Sequence, residues 1–393
     1  MQYRTDKRSG NKLSVLGFGC MRFSRGVAGI DLKKAEQLVL NAIERGVNYF
    51  DTAYMYPGSE AALGTILAKN KLRAKIYLAT KLPIANCKSG ADFDKFFAAQ
   101  LAALQTDYVD YYLMHNINSL AQWNELRAWG IEKWIATQKA SGKVRQLGFS
   151  FHGPRQEFEA VLESYDWDFC QIQYNYANET NQAGVEGLRK AAARNIPVII
   201  MEPLLGGKLA TGLSAAALDV FSKADASRSP AQWGLRWLWN QPEVTVVLSG
   251  MNEQRQLDEN LAIADVSEAN SVTDSERAAY DKVIEIFKST DKVPCTGCAY
   301  CMPCPKGVNI PGCFAAYNAR FAHGFMPALP MYITTTAANR KVNALASNCV
   351  KCGQCESHCP QKIEIRRELA NVVKRMEPLW FKAAMKIYRA VSK

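Results

Sequence analysis

Val47-Asn-Tyr-Phe-Asp-Thr-Ala-Tyr-Met-Tyr56 decides how this chain is read. Residues 47–50 suit a short buried strand, and the strand runs out into Asp51 and Tyr56, so an apolar segment delivers titratable side chains at its C-terminal end. A helical pattern at 32–45 precedes it. Working outward, the same strand-then-helix unit recurs, with strand candidates at 15–17, 47–50, 76–79, 109–114, 144–149, 169–174, 198–201 and 244–248 and helical stretches such as 93–104 and 253–264. Eight such units in about 250 residues predict a (β/α)8 TIM barrel. A doubly wound sheet is the alternative. It calls for a Gly-x-Gly-x-x-Gly turn after its first strand, and Gly17-Phe-Gly19 lacks the third glycine.

In a barrel of this type chemistry gathers at the C-terminal ends of the strands. Read in order, those ends give Asp51 and Tyr56, then Lys81, then His115. Any one of them alone reads as a solvated or locally satisfied loop residue. Together they form a coherent set. Reducing a carbonyl leaves an alkoxide that must take a proton, and Tyr56 can supply it, although a phenol is a sluggish acid at neutral pH. An adjacent Lys81 ammonium favours the phenolate, Asp51 holds that lysine charged and in place, and His115 can hydrogen-bond the carbonyl oxygen.

With those residues in place, residues 13–265 resemble an aldo-keto reductase. The segments that carry the resemblance are Asp51-Thr-Ala-Tyr-Met-Tyr56 with Gly58-Ser-Glu60, Ala79-Thr-Lys81 and Tyr112-Leu-Met-His115. The resemblance implies the barrel, NADPH or NADH as cofactor, and interconversion of a carbonyl and an alcohol. It also implies that Ser150 and Gln171 face the nicotinamide carboxamide and that Met201 stands where the stacking tyrosine usually is. The turn Leu204-Leu-Gly206-Gly207 would meet the pyrophosphate. In the loop from Ser249, Gly250 and Gln256 occupy positions that are basic in NADPH-specific relatives; Arg255, one residue off, would compensate. Glu259 and Asn260 match adenine contacts. The family's asparagine after the serine is replaced here by Phe151 and then His152.

The C-terminal part carries Cys295-x2-Cys298-x2-Cys301-x2-Cys304-Pro305 and Cys349-x2-Cys352-x2-Cys355-x3-Cys359-Pro360. Three thiolates at this spacing wrap the corners of one iron–sulfur cube, and the following Cys-Pro typically ligates the other. Cys304-Pro-Lys-Gly-Val-Asn-Ile310 mirrors Cys359-Pro-Gln-Lys-Ile-Glu-Ile365, an internal duplication. Two [4Fe–4S] clusters are expected, one on Cys295, Cys298, Cys301 and Cys359, the other on Cys349, Cys352, Cys355 and Cys304. Zinc is disfavoured because a third cysteine at the same step crowds a tetrahedral site, and disulfides because nothing suggests export. The long spacer between the motifs, with a helical pattern at 312–320, resembles helical ferredoxin-like domains. Cys313 reads as a small apolar filler, and Cys20, Cys87 and Cys170 lack cluster spacing.

The chain has 393 residues, 48% of them apolar, and a formal charge of +11. Cluster formation would add about four negative charges, and no basic stripe or DNA-binding signature accompanies the balance, so nucleic acid is not an expected partner. A small-molecule carbonyl or alcohol, a nucleotide and an acidic redox protein fit better. The start shows no apolar signal segment and no run is long enough to span a membrane, which points to the cytoplasm. The expected divisions are a barrel over 1–290, a cluster domain over 291–370 and a basic amphipathic helix over 371–393 with Leu379, Trp380, Phe381, Met385 and Tyr388 as apolar contacts. Met21, Arg22, Phe23, Trp123, Trp129 and Phe151 are expected to line the mouth. Three functions follow from this pattern: a carbonyl reductase with an attached electron-transfer module, a reductase whose clusters are only structural, or a redox-sensing binding protein.

Overall fold

The computed structural model of the chain describes residues 1–26, 29–337 and 343–390, without the side chains of 382 and 386–390. Two compact units result: Met1–Pro203 with Ala231–Val272, and Leu204–Pro230 with Thr273–Lys393.

In the first unit eight parallel strands close into a barrel, each beside the next in sequence and the last beside the first. They are β1 (Leu16–Gly19), β2 (Tyr49–Asp51), β3 (Tyr77–Leu82), β4 (Val109–Met114), β5 (Val144–Phe151), β6 (Phe169–Gln173), β7 (Val198–Met201) and β8 (Val244–Ser249). A hairpin of Tyr3–Thr5 and Lys12–Ser14 precedes β1. Strand alternation sorts the residues into two cores. Tyr49, Ala79, Tyr111, Leu113, Phe169, Ile199, Val246 and Leu248 fill the interior, while Phe50, Leu78, Tyr112, Cys170 and Ile172 face the surrounding helices. Asp51, Lys81 and Gln171 share the inward parity of Tyr49, Ala79 and Phe169, two residues further along their strands. They therefore form the next layer up inside the barrel. Ladder pairing carries β3 as far as Leu82, so Lys81 lies within a strand rather than after it.

The second unit is helical among the described residues. After β7 the turn Leu205–Gly207 leads into the short helix Lys208–Thr211 and then Ala215–Ala224, whose Phe221 meets Tyr280 of the helix Asp274–Thr290. Helices Ile310–His323, Phe325–Thr336 and Ile365–Met376 surround a core of Val293, Val308, Phe314, Tyr332, Leu369 and Val372. The expected single tail helix is two: Ile365–Met376 stops before Glu377-Pro378, and Leu379–Ala390 starts after it. Pro378 disfavours a helical conformation at the residue before it. The restart turns Phe381 and Met385 inward but leaves Leu379 87% and Trp380 55% exposed, so those two are not buried contacts. The Tyr388 side chain and residues 391–393 lie outside the described residues.

Close packing of the first unit depends on Gly64. A Cβ there would stand 2.6 Å from Leu104 Cα, because the helix Ser59–Lys69 crosses the end of Ala91–Leu104 at backbone contact. Gly64→Ala is expected to lower stability by about 1–3 kcal/mol, measured by urea unfolding followed through tryptophan fluorescence.

Candidate active site and cluster site

The layer above the barrel's apolar floor holds a buried ion pair. Lys81 Nζ donates to Asp51 Oδ1 at 2.6 Å and to Thr52 O at 2.8 Å, and Gln171 Nε2 donates to Asp51 Oδ2 at 3.0 Å. The lysine and aspartate side chains are 1% and 5% exposed. Lys81 Nζ lies 5.1 Å from the centre of the Tyr56 ring, and that ring stands perpendicular to His115 at 6.1 Å between centroids. The structure thus brings Asp51, Tyr56, Lys81 and His115 into one cluster. Such a cluster can move a proton at the Tyr56 oxygen and donate a hydrogen bond from His115.

The charge state of His115 is set by its surroundings. Burial, then the Lys81 charge, then His152 push it well below the ordinary imidazole range, so it is neutral near neutral pH. His152 is also neutral, lowered to about 4 by burial, with its Nδ1 3.1 Å from Gln182 Oε1.

Behind Lys81 lies a polar network that the sequence reading missed. Gln100 Nε2 donates to Lys81 O at 3.0 Å and to Glu60 Oε1 at 2.8 Å; Thr80 Oγ1 also donates to Glu60. Tyr112 donates its hydroxyl proton to Gln100 Oε1 at 2.8 Å. Burial raises the Glu60 carboxyl above its usual range, against the two hydrogen bonds it accepts. The available signal was Gln100 itself, a polar residue on the buried stripe of Phe93, Phe96, Phe97 and Leu104.

The remaining candidates are distributed as follows. Ser150 Oγ accepts from Asn116 N at 2.9 Å, and Met201 ends β7 in register with Gln173. Leu205, Gly206 and Gly207 all have positive φ, of 48°, 69° and 102°. Asn260 Nδ2 donates to Ser249 Oγ at 3.0 Å, Gln256 Oε1 accepts from Asn252 N, and Arg255 pairs with Glu259 at 2.6 Å. Several residues expected at the mouth are elsewhere. Trp123 is fully buried against Tyr165 and Trp167, Phe151 packs outward on Phe149 and Phe158, and Phe23 packs on Phe18. Outward strand parity explains Phe151: it falls between the barrel wall and a helix, while Ser150 faces in. Arg22 is exposed and lies along Gly250, its Cδ 3.0 Å from where a Cβ on Gly250 would sit; it makes no hydrogen bond or ion pair among the described residues.

In the second unit Cys295, Cys298, Cys301 and Cys359 line one cavity, with apolar walls from Ile310, Phe314 and Ile363. Two separate cysteine motifs, the first ending at Cys304 and the second beginning at Cys349, therefore supply one site. Among the described residues no three Cys, His, Asp or Glu side chains converge on a single-ion centre. Four thiols spread round a cavity are instead what a cube requires. Burial pushes Cys295 up to about 11 and Cys301 up to about 12, so these thiols are protonated near neutral pH unless a metal binds. In the second motif Lys351 N donates to Cys349 Sγ at 3.4 Å, and positive φ at Lys351 and Gly353 curls the chain around its thiols. Cys295, Cys301, Cys304, Cys349 and Cys355 all border the core of the second unit. Cys313 is fully buried there, and Cys20, Cys87 and Cys170 are buried in the barrel unit.

Residues 15–284, more than half of the chain, match the aldo/keto reductase family model, and residues 294–364 match that of the 4Fe-4S dicluster domain. The chain belongs to the aldo/keto reductase family and is an oxidoreductase with a C-terminal 4Fe-4S domain. An uncharacterised oxidoreductase of Bacillus subtilis is 26% identical over 310 residues, covering 68% of this chain and 92% of its own. An aldo-keto reductase of Mycolicibacterium vanbaalenii is 30% identical over 278 residues, covering 70% and 90%. Among solved structures, an aldo-keto reductase of Klebsiella pneumoniae in complex with NADPH has a TM-score of 0.59 at 23% identity and covers 72% of this chain and 95% of its own, a likeness of fold. No helix among the described residues is long and apolar enough to cross a membrane.

The low His152 value has a consequence for acid stability. The folded state holds it neutral down to about 4, against an ordinary 6.5, so the stabilisation is complete above 6.5 and is lost as pH falls toward 4. At pH 5 about 2 kcal/mol of it should be gone. Thermal unfolding at pH 7 and pH 5 should show a smaller acid-induced fall in Tm for His152→Gln than for the parent; an equal fall would contradict it.

Proposed function

We propose that the chain is an NAD(P)H-dependent reductase that interconverts a small-molecule carbonyl and alcohol, with two [4Fe–4S] clusters as an electron-transfer module. The observation that carries this reading is the buried Lys81–Asp51 pair with Tyr56 and His115 gathered round it. A bound nicotinamide supplies the hydride. Tyr56 gives the proton to the carbonyl oxygen, and the Lys81 ammonium stabilises the phenolate left behind. Asp51 fixes that ammonium in position. His115, neutral, donates its N–H to the same oxygen without competing for the proton.

The donor set suits a nicotinamide. Ser150 accepts from Asn116 and so keeps its O–H to donate; Gln171 donates to Asp51 and so keeps its carbonyl to accept. One donor and one acceptor are the complement of a carboxamide. Met201 is assigned to the ring, and the backbone of Leu204, Gly206 and Gly207 to the pyrophosphate, in keeping with the phosphate sites that barrels build after strands seven and eight. Ser249, Gln256, Glu259 and Asn260 are assigned to the adenosine end. Arg255 is engaged with Glu259, which leaves Arg22 as the cation for a nucleotide phosphate there.

For the clusters, the cavity shared by Cys295, Cys298, Cys301 and Cys359 supports the crossed ligand set, with Cys304, Cys349, Cys352 and Cys355 on the second cube. A cytoplasmic location and a redox protein partner accord with oxygen-sensitive clusters; nucleic acid has no place in this reading.

Tyr56→Phe is expected to reduce turnover by about 10²–10⁴-fold while nucleotide affinity stays unchanged, measured by steady-state rates and nucleotide fluorescence titration. Unaltered turnover would remove Tyr56 as the acid. For the crossed ligands, Cys295→Ser and Cys359→Ser should each abolish the same EPR signal of the dithionite-reduced protein, and Cys304→Ser the other. Loss of different signals from Cys295→Ser and Cys359→Ser would refute the crossing. Anaerobic titration with NADPH or NADH, followed by cluster absorbance and EPR, separates an electron-transfer module from structural clusters: bleaching supports the first.

A further inference from the structure

The second unit contains a half-buried lysine that neither the tetrad nor the cysteine ligands explain. Lys208 directly follows Gly207 of the positive-φ turn, and its ammonium is ion-paired with Asp291. The two side chains are only 19% and 9% exposed. Lys208 Nζ also donates to Val293 O at 3.1 Å. Two further donors meet that carbonyl: Cys295 N at 2.7 Å and Asn318 Nδ2 at 2.6 Å. Asn318 closes the arrangement by donating to Asp291 Oδ1 at 2.6 Å and accepting from Val293 N at 2.9 Å. A positive charge, a negative charge and a crowded carbonyl thus fix residues 291–295, the segment that leads into the first cysteine of the cluster motif. The other end of the same lysine is joined covalently to the turn after β7.

Three chemical roles are open to such a lysine. Its ion pair and its hydrogen bond to Val293 O set it apart from a solvated surface cation. A purely mechanical clamp would use the ion pair only to hold two segments together. The third role adds electrostatics: a one-electron reduction puts an extra negative charge on the cluster held by Cys295, and an ammonium held on Val293 O, two residues before that cysteine, lowers the cost of that charge. Where both members of an ion pair are near the cluster, the two charges push its potential in opposite directions.

We propose that Lys208 raises the reduction potential of the cluster ligated by Cys295. The assignment rests on the proposed function, which puts a cluster in the cavity of Cys295, Cys298, Cys301 and Cys359. Its sign follows from charge: the ammonium favours the added electron and the Asp291 carboxylate opposes it.

The test uses the intact, cluster-replete chain under anaerobic conditions, with mediated redox titration followed by EPR. Lys208→Gln should lower the potential of one cluster, Lys208→Arg should restore it, and Asp291→Asn should raise it. Both Gln and Asn variants break the same ion pair, so a merely mechanical clamp would move the potential in one direction for both. Opposite shifts support the assignment; equal, same-signed or absent shifts overturn it. Absence of any reducible cluster in the intact chain would instead remove the proposed clusters and the tuning with them.

Discussion

A lysine ammonium and an aspartate carboxylate share the inside of a closed barrel, and much of the first unit is arranged to make that tolerable. Taking both charges out of water is costly, and their attraction offsets the cost only when the remaining hydrogen-bonding capacity is met. Here it is met by two further residues. Thr52 supplies a carbonyl to Lys81, and Gln171 supplies an N–H to Asp51. Removing either charge would leave the other stranded, a loss of about 3–5 kcal/mol for buried pairs in general. The floor beneath consists of large rings, Tyr49, Tyr111 and Phe169, which keep water from reaching the pair from below. Reactivity and stability therefore rest on the same two atoms.

The network behind Lys81 extends this logic outward. Gln100 joins the backbone carbonyl of Lys81 to Glu60 and Tyr112, so a helix on the outside of the barrel helps set the position of a side chain on the inside. The neutral state of His115 follows from the same constraint. With one ammonium already buried, a second cation next to it is disfavoured, and His115 is left able to donate without carrying charge.

The barrel was legible because its strands are apolar runs punctuated by polar residues at regular intervals; every one of the eight strand candidates overlaps a strand. Lys81 and Asp51 could be placed on strand ends by order alone. Contacts made by residues distant in sequence were not legible. Nothing near Gln100 announces Lys81, and nothing near Lys208 announces Asp291, eighty-three residues on. Parity errors account for another group. Phe151 follows Ser150 in sequence and was expected beside it at the mouth, but adjacent residues on a strand face opposite ways. Trp123 was misplaced because a large aromatic on a helix looks the same in sequence whether it covers a mouth or fills a core. The cysteine motifs were legible for the opposite reason, since their information is local spacing.

The second unit is discontinuous in sequence. The chain leaves β7, passes through residues 204–230, returns to complete the barrel, and comes back from 273 onward. Family boundaries at 284 and 294 suggest a catalytic piece and a cluster piece that could be traded between proteins like cassettes. The interleaving argues otherwise. A chain ending before Asp291 would keep Lys208, and the packing of Phe221 on Tyr280, while losing the lysine's counter-charge, so the segment after β7 draws on a residue beyond the family boundary.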